Sequence, residues 1–487
     1  MSASSTLANL VDGAWRRGGG DGTITVTDPS NVARTVGVVP AMSADDLADV
    51  YAAAARGAGT WRHTGTLERG RILSAAAGLL RERIGTIAHE LVSEMGKTLA
   101  EATVEVTKAA DFFDYYASLA RLPVGVELAD ARPGVNVVVR NEPIGVVLAI
   151  TPWNDPILTP ARKLAPALFA GNAVVLKPAS ETPIVSLRLA AALHDAGLPA
   201  GVLGTVTGRS SRLSDPLLAD PRLAGVTFTG STAVGTGLRQ QLANRNVRLQ
   251  TEMGGKNASV VLADADLELA AETILAASFG QAGQRCTATS RVIADRAVTS
   301  ELMAKLVAGA GAVRLGPGLD PDTTIGPTVS RGHQAEVVEH VDRARTEGAE
   351  ILIGGGVPSA SELAGGCYVE PTVVAGVTRE MSIWRDEVFG PVIAVVEVDG
   401  VEEAVAAAND SVYGLSAAIF TRDLSAAAYF EEYVDTGQVS VNLPTSGWDV
   451  HHPFGGFADS GSAFKEQGLE ALRFYTRVKT VAVRAAR

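Results

Sequence analysis

The chain has 487 residues, of which 46% are apolar, 20% charged and 5% aromatic. That balance supports buried cores in two or three globular units and excludes disordered, collagen-like, coiled-coil and disulfide-scaffold classes. A formal charge of −12 argues against nucleic acid and anionic membrane as partners, because the average surface repels both.

No run approaches the roughly 18 to 20 unbroken apolar residues of a spanning helix. The opening MSASSTLANLVDG lacks the basic-then-apolar order of a secretion signal, so the expected location is cytoplasmic. Cys286 and Cys367 form no CxxC pair, which leaves no disulfide framework or zinc knuckle, and no metal site is expected.

In chain order, the first 40 residues read as short strands and turns, and a helix is predicted to begin at Ser43, where Ser43 and Asp46 form a capping-box variant. Residues 67–119 carry Leu and Ile at helical spacing with Gly at the breaks, the pattern of a helical scaffold. From about 135 the β-branched runs VNVVVR, IGVVLAIT, NAVVLKP and AGVTFTGS alternate with Ala/Leu-rich segments, which predicts a parallel α/β sheet covered on both faces. A second series starts near 257 with ASVVLADA, TSRVIAD, GPVIAVVEV and LSAAIFT, and with helices around 266–282 and 299–309. Two series predict two doubly wound units. The closing ALRFYTRVKTVAV ends in an alternating run suited to an edge strand for another element or subunit.

Five segments carry chemistry. Gly283-Gln284-Arg285-Cys286-Thr287 sets a single thiol after a glycine turn, where exposure, backbone NH groups and cations would lower its pKa for nucleophilic attack. An isolated cysteine is otherwise a small buried filler, the reading that Cys367 keeps. Glu252 closes VRLQTE just before Gly254 and Gly255, where a sheet presents a side chain to a cleft, and suits either a general base or a solvated cap. In Thr151-Pro152-Trp153-Asn154-Asp155-Pro156 the prolines fix a turn, and the Asn154 amide either donates to a developing oxyanion or bonds local backbone. Lys177 closes VVLK, and Gly230-Ser231 opens a helix after VTFT, a ready phosphate site. The GxGxxG spacing is absent, so this is not the ordinary dinucleotide fingerprint.

In this order and at these mutual distances, PWN, VVLKP, FTGST, EMGGKN, GQRC, EVFGPV and PFGG resemble the aldehyde dehydrogenase superfamily over essentially the whole chain. The resemblance implies an α/β fold with a Rossmann-like coenzyme domain over 1–120 and 141–252 and an α/β catalytic domain over 253–469. A small β oligomerisation element would comprise 121–140 and 470–487, implying a homodimer or homotetramer. It makes Cys286 the nucleophile, Glu252 the base that activates the deacylating water, and Asn154 the oxyanion donor beside the Cys286 NH. It places Thr151, Pro152, Trp153, Lys177, Ser180, Gly208, Gly230, Ser231, Met253, Glu387 and Phe389 around the coenzyme. Of these, Lys177 would meet the adenosine ribose, Gly230 and Ser231 the pyrophosphate, Glu387 the nicotinamide ribose and Phe389 the nicotinamide. Glu252 also favours hydrolysis over transfer to coenzyme A, since the acylating members lack that carboxylate.

Ser180 stands where strictly NAD-using members often carry Glu, and a serine tolerates a 2′-phosphate beside Lys177; the expectation is NADP ahead of NAD, with Glu181 pointing toward the ribose and Arg209 either assisting a phosphate or sitting in solvent. The segment VNLPTSG, the PFGG turn and FYTRVKT resemble the 2,5-dioxopentanoate (α-ketoglutaric semialdehyde) dehydrogenases. That implies a short aldehyde with a carboxylate at its far end, such as 2,5-dioxopentanoate or succinic semialdehyde. An aromatic or apolar aldehyde, or a non-catalytic relative, is the alternative. Departures are Phe457-Ala458-Asp459-Ser460-Gly461 after PFGG, where basic residues are common, and Asp155 in the expected aldehyde pocket. Arg162, two helical turns beyond Asn154, resembles an arginine with which succinic semialdehyde dehydrogenases grip the substrate carboxylate; otherwise it pairs with Asp155. The second arginine of that group falls at Gly280, so no two-arginine clamp is expected. Trp448 is a candidate tunnel wall. His451 and His452, as adjacent residues, should diverge and serve as rim or turn residues rather than ligands.

Overall fold

The computed structural model describes residues 7–19, 22–123 and 125–484. The first six residues of the opening segment and the last three of the 470–487 element lie outside them. The Ser43/Asp46 capping box is present and starts the helix Ala44–Trp61. The scaffold stretch forms three helices, Thr66–Glu82, Ile84–Met95 and Leu99–Ser118, whose Leu73, Leu80, Leu91 and Phe113 are fully buried in one core.

The first sheet has five parallel strands in the order Arg248–Glu252, Leu223–Thr229, Val146–Ile150, Ala173–Lys177, Leu203–Thr205. Its inner strands are continuous apolar runs because helices cover both faces. The chain runs outward from Val146–Ile150 to Leu203–Thr205, then returns to the other side of Val146–Ile150. That reversal opens a crevice at the carboxyl ends of Val146–Ile150 and Leu223–Thr229, the place where doubly wound sheets bind ligands. Thr151 and Gly230 begin the loops on its two sides.

The second sheet has seven strands in the order Glu350–Ile353, Thr372–Ala375, Val392–Val398, Thr289–Asp295, Asn257–Val261, Ser416–Phe420, Gln438–Val441, parallel except for the first. Glu350–Ile353, Thr372–Ala375 and Gln438–Val441, like Leu203–Thr205 of the first sheet, escape the sequence reading because three or four residues are too few to display a period.

One run is misplaced by sequence. VNVVVR joins no parallel sheet: the strand Val135–Pro143 lies between Gly125–Leu128 and Thr476–Arg484 in an antiparallel three-stranded sheet. Most of its side chains are exposed or half-buried, so it lacks the two covered faces that a parallel strand requires. The tail strand therefore pairs within its own chain, from Thr476 opposite Pro143 to Arg484 opposite Val135, and its outer side is a sheet edge. No helix among the described residues is long and apolar enough to cross a membrane.

Candidate active site

Two cavities meet at the carboxyl ends of the first sheet. One, of about 420 Å³, is lined by Cys286, Asn154, Glu252, Asp155, Arg162 and Trp448 among others. The other, of about 700 Å³, is lined by Thr151, Lys177, Ser180 and Arg209. Pro152, Trp153, Gly230 and Ser231 border both.

The thiol loop is built by strain that its neighbours hold in place. After the helix Leu267–Phe279, three successive residues are left-handed: Gln281 at φ 57°, Ala282 at 55° and Gly283 at 70°. A non-glycine residue there costs on the order of 1–3 kcal/mol, and persists only where surroundings enforce it. The Gln281 NH donates to Glu101 Oε1 at 2.6 Å, while its Nε2 donates to the Asn154 carbonyl at 2.6 Å and to Asp155 Oδ1 at 3.0 Å. Gly283 is required as glycine, since a Cβ would overlap the Gly390 carbonyl. The loop leaves Cys286 half-buried. Burial pushes its thiol up to about 12; Arg162 pulls it down, while Asp155, Glu387 and Glu252 add to the rise. The lowered thiol expected from sequence is therefore reversed, because desolvation outweighs the one cation.

Asn154 is fixed from both ends. Its Nδ2 donates to the Gln284 carbonyl at 3.0 Å, leaving a second amide hydrogen, and its own carbonyl accepts from Lys97 Nζ at 2.9 Å. Lys97 is a hub: its buried ammonium also pairs with Glu105, and with Asp155 at 3.2 Å. Glu105 in turn accepts from the NH groups of Ile157 (3.0 Å) and Leu158 (3.1 Å), at the start of the helix Leu158–Ala170. Burial acts to raise the Asp155 carboxyl, but Lys97, Arg285 and the Gln281 amide hold it below its usual range. Sequence reasoning passed over Lys97, Glu105 and Gln281. The only local signal was a lysine directly before Thr98-x-x-Glu101, which forms a second capping box.

Arg162 does not pair with Asp155. Its NH1 lies 3.2 Å from Glu466 Oε2, and Glu466 also holds the buried Lys163. The guanidinium sits over the Phe454 ring, 4.8 Å from its centroid. Glu252 is buried at the end of its strand; Oε2 accepts from the Gly456 NH at 3.3 Å and Oε1 has no partner. Desolvation, reinforced by Glu466 and opposed by Lys163 and Lys465, raises its carboxyl well above the usual range. Gly455 of the PFGG turn must be bare, because a Cβ would overlap the Glu252 carboxyl. Trp448 lines the cavity with its Nε1 buried and unpartnered. His451 and His452 do not diverge: their rings pack edge to face, 4.3 Å between centroids, outside the cavity wall. Cys367 is fully buried, as a filler is.

In the second groove Lys177 ends its strand, donates to the Pro178 carbonyl at 3.1 Å and is pushed down to about 8 by burial, with Glu181 opposing. Ser180 Oγ donates to the Gly208 carbonyl at 3.1 Å, so Gly208 supports Ser180 from behind rather than lining the groove. Ser231 caps the helix Thr232–Leu242 without a side-chain bond, which leaves its first NH groups for an anion. An amine, a hydroxyl and a helix N-terminus along one groove fit the ribose and phosphates of a dinucleotide. Between the cavities, Glu387 accepts from the Gly255 NH at 3.0 Å and is raised to about 7 by burial. Phe389 is held at φ 55°, its ring 5.4 Å from Trp153, and its carbonyl lies 2.8 Å from Nε2 of His333, another residue not anticipated. Met253 lines the same wall.

The profile of the aldehyde dehydrogenase family matches residues 15–481. The chain is 43% identical over 474 residues to the α-ketoglutarate semialdehyde dehydrogenase of Haloferax volcanii, covering 97% of this chain and 98% of that one. It is 37% identical over 484 residues to the α-ketoglutaric semialdehyde dehydrogenase of Bacillus subtilis, covering 99% of each. Betaine aldehyde dehydrogenase from Staphylococcus aureus, solved in complex with NAD, superposes with a TM-score of 0.96 at 31% identity, covering 99% of this chain and 95% of that one.

Proposed function

The chain belongs to the aldehyde dehydrogenase family, and on that premise we propose that its substrate is a short aldehyde bearing a carboxylate at the far end, such as 2,5-dioxopentanoate or succinic semialdehyde. It oxidises aldehydes to carboxylates with a nicotinamide coenzyme, NAD or NADP. The observation that carries the substrate reading is the presence of two guanidinium groups, Arg162 and Arg285, in the wall of the cavity that holds Cys286.

In this reading Cys286 Sγ attacks the aldehyde carbon, and the oxyanion of the resulting thiohemiacetal is met by the free amide hydrogen of Asn154 and the NH of Cys286. A thiol near 12 must lose its proton as attack proceeds, and the raised carboxylate of Glu252 is the more basic acceptor for it. The coenzyme supplies the acceptor for the hydride that leaves the substrate carbon. Glu252 passes the thiol's proton to solvent, then takes a proton from the water that hydrolyses the thioester and returns it to the departing thiolate, releasing the acid and restoring the thiol.

The coenzyme is held by Lys177, Ser180, Gly230 and Ser231 in the second groove and by Trp153, Glu387 and Phe389 between the cavities. NADP is preferred, because Lys177 and Arg209 set two cations in the groove against the single carboxylate Glu181, and Ser180 adds no negative charge to repel a 2′-phosphate. The first sheet with the helical scaffold (1–120, 141–252) forms the coenzyme domain, and the second sheet (253–469) the catalytic domain. The three-stranded sheet (121–140, 470–487) joins subunits into a dimer or tetramer. Its outer strands carry exposed Val126, Leu128, Val478 and Val483, a surface that supports burial against another copy. The enzyme works in the cytoplasm.

The test follows coenzyme reduction with NADP and NAD over 2,5-dioxopentanoate, succinic semialdehyde, benzaldehyde and pentanal, beside Cys286→Ala. Fast turnover of a semialdehyde, lost in the variant, is expected. A preference for benzaldehyde or pentanal would overturn the substrate reading.

A further inference from the structure

Arg285 immediately precedes the thiol, and its guanidinium is tethered on one side only. Nε donates to Gln281 Oε1 at 2.9 Å, whereas NH1 and NH2 make no hydrogen bond among the described residues. The nearest carboxylate, Glu101, stands 3.9 Å from NH2 and is already occupied. Its Oε1 accepts from the Gln281 NH at 2.6 Å, and its Oε2 accepts from the NH and hydroxyl of Thr98 at 3.0 Å each. A planar fork, fixed at its base and free at its tip, thus lines the cavity beside Cys286.

The other cations of the cavity are differently placed. Arg162 is bonded to Glu466 at 3.2 Å and rests between the Phe112 and Phe454 rings, with its Nε buried and facing no acceptor. The Lys97 ammonium is consumed by Glu105, Asp155 and the Asn154 carbonyl. Lys108 lines the cavity without a partner among the described residues, but a lysine is a point charge on a long flexible stem and cannot present two parallel donors. A carboxylate entering the cavity gains most from the free fork, through two charge-assisted bonds.

We infer that Arg285, rather than Arg162, receives the distal carboxylate of the substrate and sets the preference for anionic aldehydes; the inference rests on the proposed substrate class. Gln281 is the positioning residue for it, since the same side chain ties Arg285 to the Asn154 turn and so fixes the carboxylate site relative to the oxyanion donor.

The experiment measures the ratio of kcat/KM for 2,5-dioxopentanoate to kcat/KM for pentanal, a neutral aldehyde with the same number of carbons. The proteins are the full-length wild type, Arg285→Gln, Arg285→Lys, Arg162→Gln and Lys108→Gln. Arg285→Gln should lower the ratio about 30-fold, the lower end for truncating one partner of a charge-assisted pair. Inhibition by 2-oxoglutarate, the acid formed from that substrate, should weaken by a similar factor. Arg285→Lys should recover part of the ratio, because it restores charge without the fork. A ratio that survives in Arg285→Gln and collapses in Arg162→Gln or Lys108→Gln overturns the assignment. So does an equal loss on both aldehydes that Arg285→Lys does not relieve, which would make Arg285 a support of the thiol loop. If the wild type shows no preference for the anion, the proposed substrate class fails instead.

Discussion

Replacing Lys97 with Met removes the cation at the centre of the Asn154 turn while keeping much of its length. The Lys97 side chain is 1% exposed and that of Glu105 4%, so the substitution strands a buried carboxylate. Breaking a buried pair from one side costs about 3–5 kcal/mol, mostly as the penalty on the charge left behind. Here Glu105 keeps the Ile157 and Leu158 NH groups, and Gln281 keeps its hold on Asn154 and Asp155. The loss should therefore fall at the low end, about 3 kcal/mol. If the stranded charge is the cause, Glu105→Gln added to Lys97→Met returns about 1.5 kcal/mol, because an amide needs no counter-charge. The sign of the pH dependence follows. Burial already raises the Glu105 carboxyl in the folded protein, and without Lys97 it rises further. A carboxyl whose folded pKa exceeds its unfolded one loses stability as pH rises, so the deficit of Lys97→Met should widen from pH 5 to pH 8. Turnover should drop about tenfold as the oxyanion donor loses one of its three ties. Urea unfolding of the single and double variants, with coenzyme-reduction rates on each, measures all of this. A loss under about 1 kcal/mol, or a double variant no more stable than Lys97→Met, would refute the account.

Four further outcomes are expected. Alkylation of Cys286 in the coenzyme-free enzyme should accelerate about tenfold per pH unit from 7 to 10 without a plateau, since its thiol stands near 12; a plateau near 8 would contradict this. Glu252→Gln should slow both the burst of reduced coenzyme and the steady turnover that follows, the latter about 10²- to 10⁴-fold as the thioester accumulates; a steady rate within about tenfold of wild type would remove Glu252 from the reaction. Ser180→Glu should shift preference from NADP toward NAD by setting a carboxylate against the 2′-phosphate, and an unchanged ratio of kcat/KM values would remove Ser180 from that site. Lys177 is a cation below about 8 and neutral above, so NADPH affinity read by fluorescence should weaken through that range more than NADH affinity; parallel profiles would refute its role at the ribose phosphate.

Local sequence determined what local physics controls. The Ser43 capping box, the three scaffold helices and the buried parallel strands were legible because each is written in the spacing or composition of a single segment. The seven motifs marked Cys286, Asn154 and Glu252, and the structure brings them to one cavity. What only the tertiary structure decided is the set of partners. VNVVVR looks like a buried parallel strand until the distant tail Thr476–Arg484 is seen to pair with it and leave it half in water. Arg162 and Asp155 share one short stretch of chain, yet Glu466 takes the first and Lys97 the second. Lys97, Glu105 and Gln281 carry no motif of their own and acquire meaning only when remote segments converge on the Asn154 turn. The thiol of Cys286 shows the same division: its place follows from the chain, but its proton affinity is set by how much water the assembled walls exclude.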